Sequence, residues 1–232
     1  MKRFYKTVIV VPADGGHKIQ LDGRDIRTPK RSTVVVPSER LATAMADEWA
    51  AQEDTIKPED MHLNRLANTA IDRVATQKDA VVDELVGYAQ SDLICYRADH
   101  PKELVARQAK EWDPVLDWVR DTFGVDLKTT TGVLHVAQSD QDVQRIKTAI
   151  DALDAYEVSG LHALTTGFGS VALALACLRE GRDFEACWTA SRVDEDFQRD
   201  KWGADAEADA VRNALYSELK VADKYLKLLK TL

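Results

Sequence analysis

Residues 191–203 hold the densest group of side chains that could do chemistry. They bring carboxylates, an amide and two large aromatic side chains together within thirteen residues. On a helix, the adjacent residues Asp194 and Glu195 point about 100° apart, so their carboxylates do not flank one bond as an acid–base pair must. The helical spacing places Glu195 next to Arg199 and Asp194 next to Gln198. The segment therefore predicts either a solvated helix face or an interaction surface.

Metal and nucleophile chemistry finds no support elsewhere in the sequence. The five histidines are scattered, and none forms an HExxH motif or pairs with a cysteine at ligand spacing. No serine lies in a GxSxG motif, and Arg97 is the only polarising neighbour of Cys95. We therefore predict no catalytic residue, no metal, no cofactor and no obligate small-molecule ligand.

A Gly-Phe-Gly-Ser segment at residues 167–170 precedes an apolar stretch and offers an alternative. Its glycines could open backbone amides to an anion, although the spacing matches neither GxGxxG nor GxxxxGK[ST]. In that case the chain would be a small soluble enzyme that acts on an anionic metabolite, with His162 as acid or base. The structural alternative is that Gly160, Gly167 and Gly169 let neighbouring helices approach closely.

The elements that position these residues begin with a predicted antiparallel sheet in residues 1–37. Alternating β-branched and aromatic residues indicate strands, and Asp14-Gly15-Gly16 and Asp22-Gly23 are hairpin turn signals. The predicted strands are residues 4–11, residues 17–22, a return limb containing Ile26, and residues 32–36.

Helical spacing replaces this alternation from Ser38 onward, where Leu41, Met45 and Trp49 recur every four residues. Pro114 is expected to kink or restart a long helix. Residues 125–136, which include Val133 and Leu134, fit either a short strand or a loop. Residues 160–178 are predicted to form one central buried helix, and the last helix starts at about Asp205.

The strand-like period of two before Ser38 and the helical period of about 3.6 after it together predict an α+β protein. A small antiparallel β-rich N-terminal domain, residues 1–60, is followed by a larger, mostly α-helical C-terminal bundle, residues 61–232. With 232 residues the chain can bury a sizeable core without disulfides.

Charge and hydropathy exclude several kinds of partner. The net charge is -8, with both signs interspersed, which argues against nucleic acid and against an anionic membrane surface. The longest apolar stretch, residues 171–178, is too short to cross a membrane. The first residues lack the apolar segment of a secretory signal, and the three cysteines show no CxxC spacing. We therefore expect a cytoplasmic protein.

Several short motifs along the chain jointly resemble one family. In order, they are Arg3-Phe4-Tyr5-Lys6, Leu21-Asp22-Gly23-Arg24, Thr28-Pro29, Glu48-Trp49 with Gln52, Met61-His62-Leu63, Trp112-Asp113-Pro114, Asp194-Glu195-Asp196-Phe197-Gln198 and Trp202-Gly203. No single motif is specific, but their ordered combination is similar to the ATP12 family, the assembly chaperones of the F1 part of ATP synthase.

The resemblance implies a non-enzymatic protein with a small β-rich part and a helical part. It also implies a partner, the unassembled α subunit of F1, which the chaperone holds until the β subunit takes over. The location would be the bacterial cytoplasm, or the mitochondrial matrix for eukaryotic members.

The family motif places the predicted partner-binding residues in the 191–203 segment. They are Glu195, Gln198, Asp194 and Trp202, with Glu195 expected to contribute to contact with the α subunit or to its release. The alternative for Gln198 and Trp202 is that they only fix their helix against the bundle. Trp49 lies on an apolar stripe, which favours a core position.

Overall fold

The structure, a computed structural model, describes residues 1–132 and 134–230. The β-strands are β1 (Val8–Ala13), β2 (Gly16–Leu21), β3 (Arg24–Asp25), β4 (Tyr96–Arg97) and β5 (Thr130–Thr131). The α-helices are α1 (Glu39–Ala50), α2 (His62–Thr69), α3 (Lys78–Gln90), α4 (Lys102–Phe123), α5 (Asp140–Asp151), α6 (Ala155–Phe168), α7 (Val171–Leu178), α8 (Phe184–Ser191), α9 (Val193–Trp202) and α10 (Ala206–Leu229). This confirms the predicted α+β fold, with a small N-terminal antiparallel sheet and a mostly helical remainder.

The N-terminal sheet has the strand order β1-β2-β3, and both pairs are antiparallel. Asp22 and Gly23 join β2 to β3 with φ of +47° and +77°, the left-handed conformations that a tight two-residue hairpin turn requires. The predicted Asp-Gly turn is therefore confirmed. The predicted strand at residues 32–36 is wrong, because only Thr33 and Val36 form isolated bridges there.

Serine side chains begin the two helices for which the sequence predicts a serine cap. Ser38 Oγ accepts a hydrogen bond from the Leu41 amide at the start of α1, and Ser139 Oγ accepts one from the Asp142 amide at the start of α5. Leu41 and Met45 on α1 are fully buried. The helical period thus predicted the start of α1 and the buried positions of Leu41 and Met45. The core position expected for Trp49 is wrong, because this residue is only half-buried and lines a surface groove.

Two helix predictions need correction. Residues 160–178 form two helices, because Gly169 adopts a φ of +71° and Ser170 then caps α7 by accepting from the Leu173 amide at 3.0 Å. The restart alternative for Pro114 is also wrong, because α4 runs without a break from Lys102 to Phe123, whereas the kink stays a prediction.

Strand β5 is the only regular structure between α4 and α5 that the described residues show, and it pairs in parallel with β4, which precedes α4. It supports the strand alternative for residues 125–136. Val133, which contributed to that prediction, lies outside the described residues. No described helix combines the length and the apolar composition that crossing a membrane requires.

The chain divides into two compact units. The first contains Met1–Lys78, Asp154–Gly160 and the chain from Val221 onward, and the second contains Asp79–Leu153 and Leu161–Lys220. In the first unit α1 packs on β1 and β2, and in the second α4 packs against α7, α8 and α9. The predicted domain boundary between residues 1–60 and 61–232 stays a prediction.

Candidate interaction surface

Helix α9 carries all four residues predicted from the 191–203 segment. Val193 and Phe197 are each 5% exposed and lie on one stripe, which confirms the predicted apolar face of the helix. The Arg107 guanidinium of α4 lies 5.3 Å from the centre of the Phe197 ring. These contacts fix α9 on α4, and the opposite face of α9 is left for other contacts.

Asp194 belongs to the buried attachment of α9. Its Oδ1 accepts a hydrogen bond from Gln108 Nε2 at 2.7 Å, and Gln108 Oε1 accepts from the Ala98 amide at 2.8 Å. Gln108 is buried, and these two hydrogen bonds give both its amide nitrogen and its amide oxygen a partner inside the protein. The predicted neighbour of Asp194, Gln198, is not its partner.

Glu195 points away from that attachment and is held by two arginines. Arg192 Nη1 donates to its Oε1 at 2.8 Å, and Arg212 Nη1 of α10 lies 3.8 Å from its Oε2. Arg199, its predicted neighbour on the helix, is not its ion-pair partner and instead donates to Asp209 at 2.9 Å. The Glu195 side chain is 55% exposed, whereas those of Arg192 and Arg212 are only 12% and 20% exposed.

The two arginines rest on one buried aromatic ring. The guanidinium groups of Arg192 and Arg212 lie 5.2 and 5.4 Å from the centre of the Trp188 ring. Arg192 Nη2 also donates to the carbonyl of Gly167 at 2.8 Å, and Arg212 pairs with Asp196 at 2.6 Å. The positive side of the site is therefore fixed in place before any partner arrives.

Glu195, Gln198 and Trp202 line a groove of about 690 Å³ between α9 and α10, which we call the α9–α10 groove. The Trp202 side chain is 80% exposed, and Val211 on α10 is also exposed. Trp202 therefore does not fix α9 in the bundle, and that alternative is wrong for it. Three of the four predicted residues thus meet at one surface, and Asp194 does not.

Sequence reasoning did not find Arg212 and Trp188. Arg192 lies within the 191–203 segment, but Arg212 follows a glycine turn on another helix, and Trp188 has the spacing of an ordinary core residue. The basic residues interspersed in an acidic segment were the only signal for a charged cluster.

The chemistry of the α9–α10 groove suits reversible contact with another protein. Exposed aromatic side chains and arginines are the residue types that contribute most to protein interfaces. Ion pairs at the surface add little to stability, so a partner can exchange them at low cost.

The proposed anion site at residues 167–170 is already filled by the protein itself. Asp92 Oδ2 accepts from the Ala172 amide at 3.1 Å, and Ser170 Oγ accepts from the Leu173 amide. Asp92 and Ser170 are both fully buried. A β-carbon built on Gly167 would lie 2.4 Å from Leu219 Cδ2, which supports the close-packing alternative for that glycine.

The remaining candidate chemical groups are also engaged or inaccessible. His162 Nε2 lies 3.1 Å from Glu84 Oε1 at the surface. Burial raises the pKa of the Cys95 thiol to about 12, so it is not an activated nucleophile. Across the described residues, no three His, Cys, Asp or Glu side chains form a group that could hold a metal ion.

A family model and a curated relative, compared with this chain, carry the same family name. The family model described as ATP12 chaperone protein matches residues 2–120. The mitochondrial protein atp12 of Schizosaccharomyces pombe is 22% identical over 224 residues, which cover 91% of this chain and 77% of that protein.

Solved structures are similar over almost the whole chain. Atp12 from Paracoccus denitrificans is 37% identical with a TM-score of 0.95, covering 99% of this chain and 98% of its own. An aspartate-to-lysine variant of that protein matches equally well. A proposed chaperone from Agrobacterium tumefaciens is 38% identical with a TM-score of 0.93, covering 99% of this chain and 86% of its own.

Proposed function

Because the chain belongs to the ATP12 chaperone family, we propose that it binds the unassembled α subunit of F1 ATP synthase and prevents its aggregation until the β subunit takes its place. Membership of this family makes the chain a chaperone rather than an enzyme and supports a role in ATP synthase assembly. The α subunit as client, and the residues that contact it, are the finer part of the proposal.

The observation that supports this proposal most is the exposed Trp202 beside the Glu195 carboxylate. A large aromatic side chain that is 80% exposed has no structural role in the isolated chain. We propose that Trp202 packs on the apolar assembly surface of the client, and that Gln198 contributes hydrogen bonds at its edge. The contact remains partly polar, as a temporary interface requires.

Glu195 provides a route for release. Its carboxylate is exposed and bonded to Arg192 and Arg212, so a client cation can compete with these arginines for it. The exchange of one exposed ion pair for another changes the free energy of binding only modestly. A client held in this way can pass to the β subunit without hydrolysis of a nucleotide by the chaperone.

Co-expression with the α subunit alone tests the proposal. The soluble fraction, separated by size-exclusion chromatography, is expected to give a shared peak of the two chains that decreases when β is added. Glu195→Gln is expected to reduce the shared peak. Asp121→Asn serves as its control, because it removes an exposed carboxylate on α4 that does not line the α9–α10 groove.

Insoluble α with the chain eluting alone would contradict the proposal. Equal binding of unrelated unfolded proteins would instead indicate a general holdase. The enzyme alternative predicts thermal stabilisation by phosphorylated metabolites, which should follow mass action at saturating concentration. We expect no such shift, because the amides at the start of α7 are already bonded.

We propose the bacterial cytoplasm as the location of this chain. The relative from Schizosaccharomyces pombe is named as mitochondrial, which fits the matrix for eukaryotic members. Fractionation followed by detection of the chain tests this location.

A further inference from the structure

The first unit carries a groove of its own, of about 760 Å³, which we call the N-terminal groove. Its sides are the loop at residues 27–30 and helix α2 with the turn that follows it. Its apolar lining is the half-buried Trp49 together with the small exposed parts of Ile56 and Met61, which are each 4% exposed. The volume is that of a typical binding cleft and accommodates one or two large side chains.

The charge of this groove is opposite to that of the chain. The exposed cations Arg27 and Lys30 line it, with Asp72 as the single carboxylate among its lining residues. The chain as a whole has a net charge of -8. A local excess of cations on an acidic protein attracts an anionic group to this position in particular.

The Asp72 carboxylate is used within the protein. Its Oδ1 accepts from Thr28 Oγ1 at 2.7 Å and its Oδ2 accepts from the Lys30 amide at 3.0 Å. These bonds hold the 27–30 loop against the turn that contains Asp72. The carboxylate therefore fixes the shape of the groove. Lys30 Nζ donates to the Asp72 carbonyl at 3.0 Å and Arg27 Nη1 donates to the Arg31 carbonyl at 2.9 Å, so neutral acceptors hold these two exposed cations at the edge of the groove.

Partly buried hydrogen bonds also fix the α2 side of the groove. Glu48 accepts from the Leu63 and Asn64 amides at 2.8 and 3.0 Å, and Trp49 Nε1 donates to Asn64 Oδ1 at 3.0 Å. Residues 70–74 after α2 form a π-helical turn, a rare geometry that is frequent at functional sites. The groove is thus preorganised, which lowers the entropic cost of binding.

We propose that the N-terminal groove binds an acidic segment of a protein chain that carries a bulky apolar side chain. The apolar side chain packs on Trp49 and Met61, and the flanking carboxylates meet Arg27 and Lys30. A protein segment fits better than nucleic acid, because the groove is apolar at its centre and the rest of the chain repels a long polyanion. This surface is distinct from the α9–α10 groove and does not depend on the client proposed above.

The test uses the full-length chain and two labelled peptides followed by fluorescence anisotropy. One peptide has a central tryptophan flanked by glutamates, and the other has the same tryptophan flanked by lysines. We expect the acidic peptide alone to bind, with an affinity that falls as salt increases. Arg27→Glu with Lys30→Glu is expected to weaken its binding about tenfold or more.

The matched control is Arg24→Glu with Arg40→Glu. It reverses the same number of exposed charges in the same unit, at positions that do not line the groove. Equal loss of binding in both double variants would overturn the proposal, as would equal binding of the two peptides or no binding of the acidic one. Displacement of the peptide by polyuridylate at equal charge concentration would indicate a general polyanion site and would also overturn it.

Discussion

Asp194 and Glu195 are neighbours in the sequence but have different roles. Asp194 bonds to Gln108 of α4, whereas Glu195 faces the α9–α10 groove with Arg192 and Arg212. Helical geometry alone predicted that the two carboxylates diverge. It did not predict their partners, because Gln108 and Arg212 lie on other helices and only the tertiary fold brings them to α9.

Removal of the Trp202 side chain tests whether its exposure is functional. Because the side chain is 80% exposed, Trp202→Ala is expected to change the free energy of unfolding by no more than about 0.5 kcal/mol. Retention of the α subunit in the shared chromatographic peak should fall markedly, as for an aromatic residue central to an interface.

Leu134→Ala is the matched control for Trp202→Ala. Leu134 is a large apolar residue with 77% exposure in the same unit, but it does not line the groove. Equal retention of α by the Trp202 variant, the Leu134 variant and the wild type would remove Trp202 from the proposed contact.

Asp92 predicts a specific pH dependence of stability. Burial raises the pKa of this carboxyl from 3.8 to about 6, against the opposing effect of hydrogen bonds from Ser170, Ala172 and Ile94. Below about pH 4 the carboxyl is protonated in both folded and unfolded chains, and the benefit of burying it neutral is fully present. That benefit is lost as the pH rises through about 6, by an amount on the order of 3 kcal/mol.

Urea unfolding of the wild type and of Asp92→Asn between about pH 4 and pH 7 measures this effect. The substituted amide stays neutral throughout this range, so the variant should gain stability relative to the wild type as the pH rises. A difference in unfolding free energy that does not change with pH would show that the Asp92 carboxyl is not perturbed by burial.

The break between helices α6 and α7 was not recognisable from the apolar composition of the sequence. Residues 160–178 are nearly all small or apolar, and this pattern continues across the break between the two helices. Gly169 in the left-handed region ends α6, and Ser170 starts α7. A cap is recognisable when a change in polarity accompanies it, as at Ser38 and Ser139, and it is not recognisable within a uniformly buried segment.

Two helical glycines provide a matched test of close helix packing. Gly167→Ala would place Cβ 2.4 Å from Leu219 Cδ2, so we expect a loss of about 1–3 kcal/mol in the free energy of unfolding. Around Gly87 in α3, no atom outside its chain neighbours and the backbone of its own helix lies within 4 Å of such a Cβ. Gly87→Ala should therefore be neutral or stabilise the protein by up to about 1 kcal/mol.

Chemical denaturation of the two alanine variants gives both values. If Gly167→Ala were as stable as Gly87→Ala, the close approach of Leu219 would not explain why a glycine occupies position 167.

At the scale of the whole molecule, the change from a period of two to a period of 3.6 near Ser38 was enough to predict the α+β fold. The two units were not predicted, because the first unit combines residues 1–78 with segments 154–160 and 221 onward that are remote in sequence. The N-terminal groove was missed as well, although its lining residues all lie within residues 1–73. Its lining comes from separate motifs, including Thr28, Trp49 and Met61, that the sequence offered only as parts of a family resemblance.

The central claim is that the α9–α10 groove holds the unassembled α subunit. The most direct measurement is photo-crosslinking from a reactive amino acid placed at Gln198, an exposed lining residue, in cells that co-express α and β. We expect an adduct with α, none with β, and none from the control position Asp121. An adduct with β, or equal α adducts from positions 198 and 121, would contradict it.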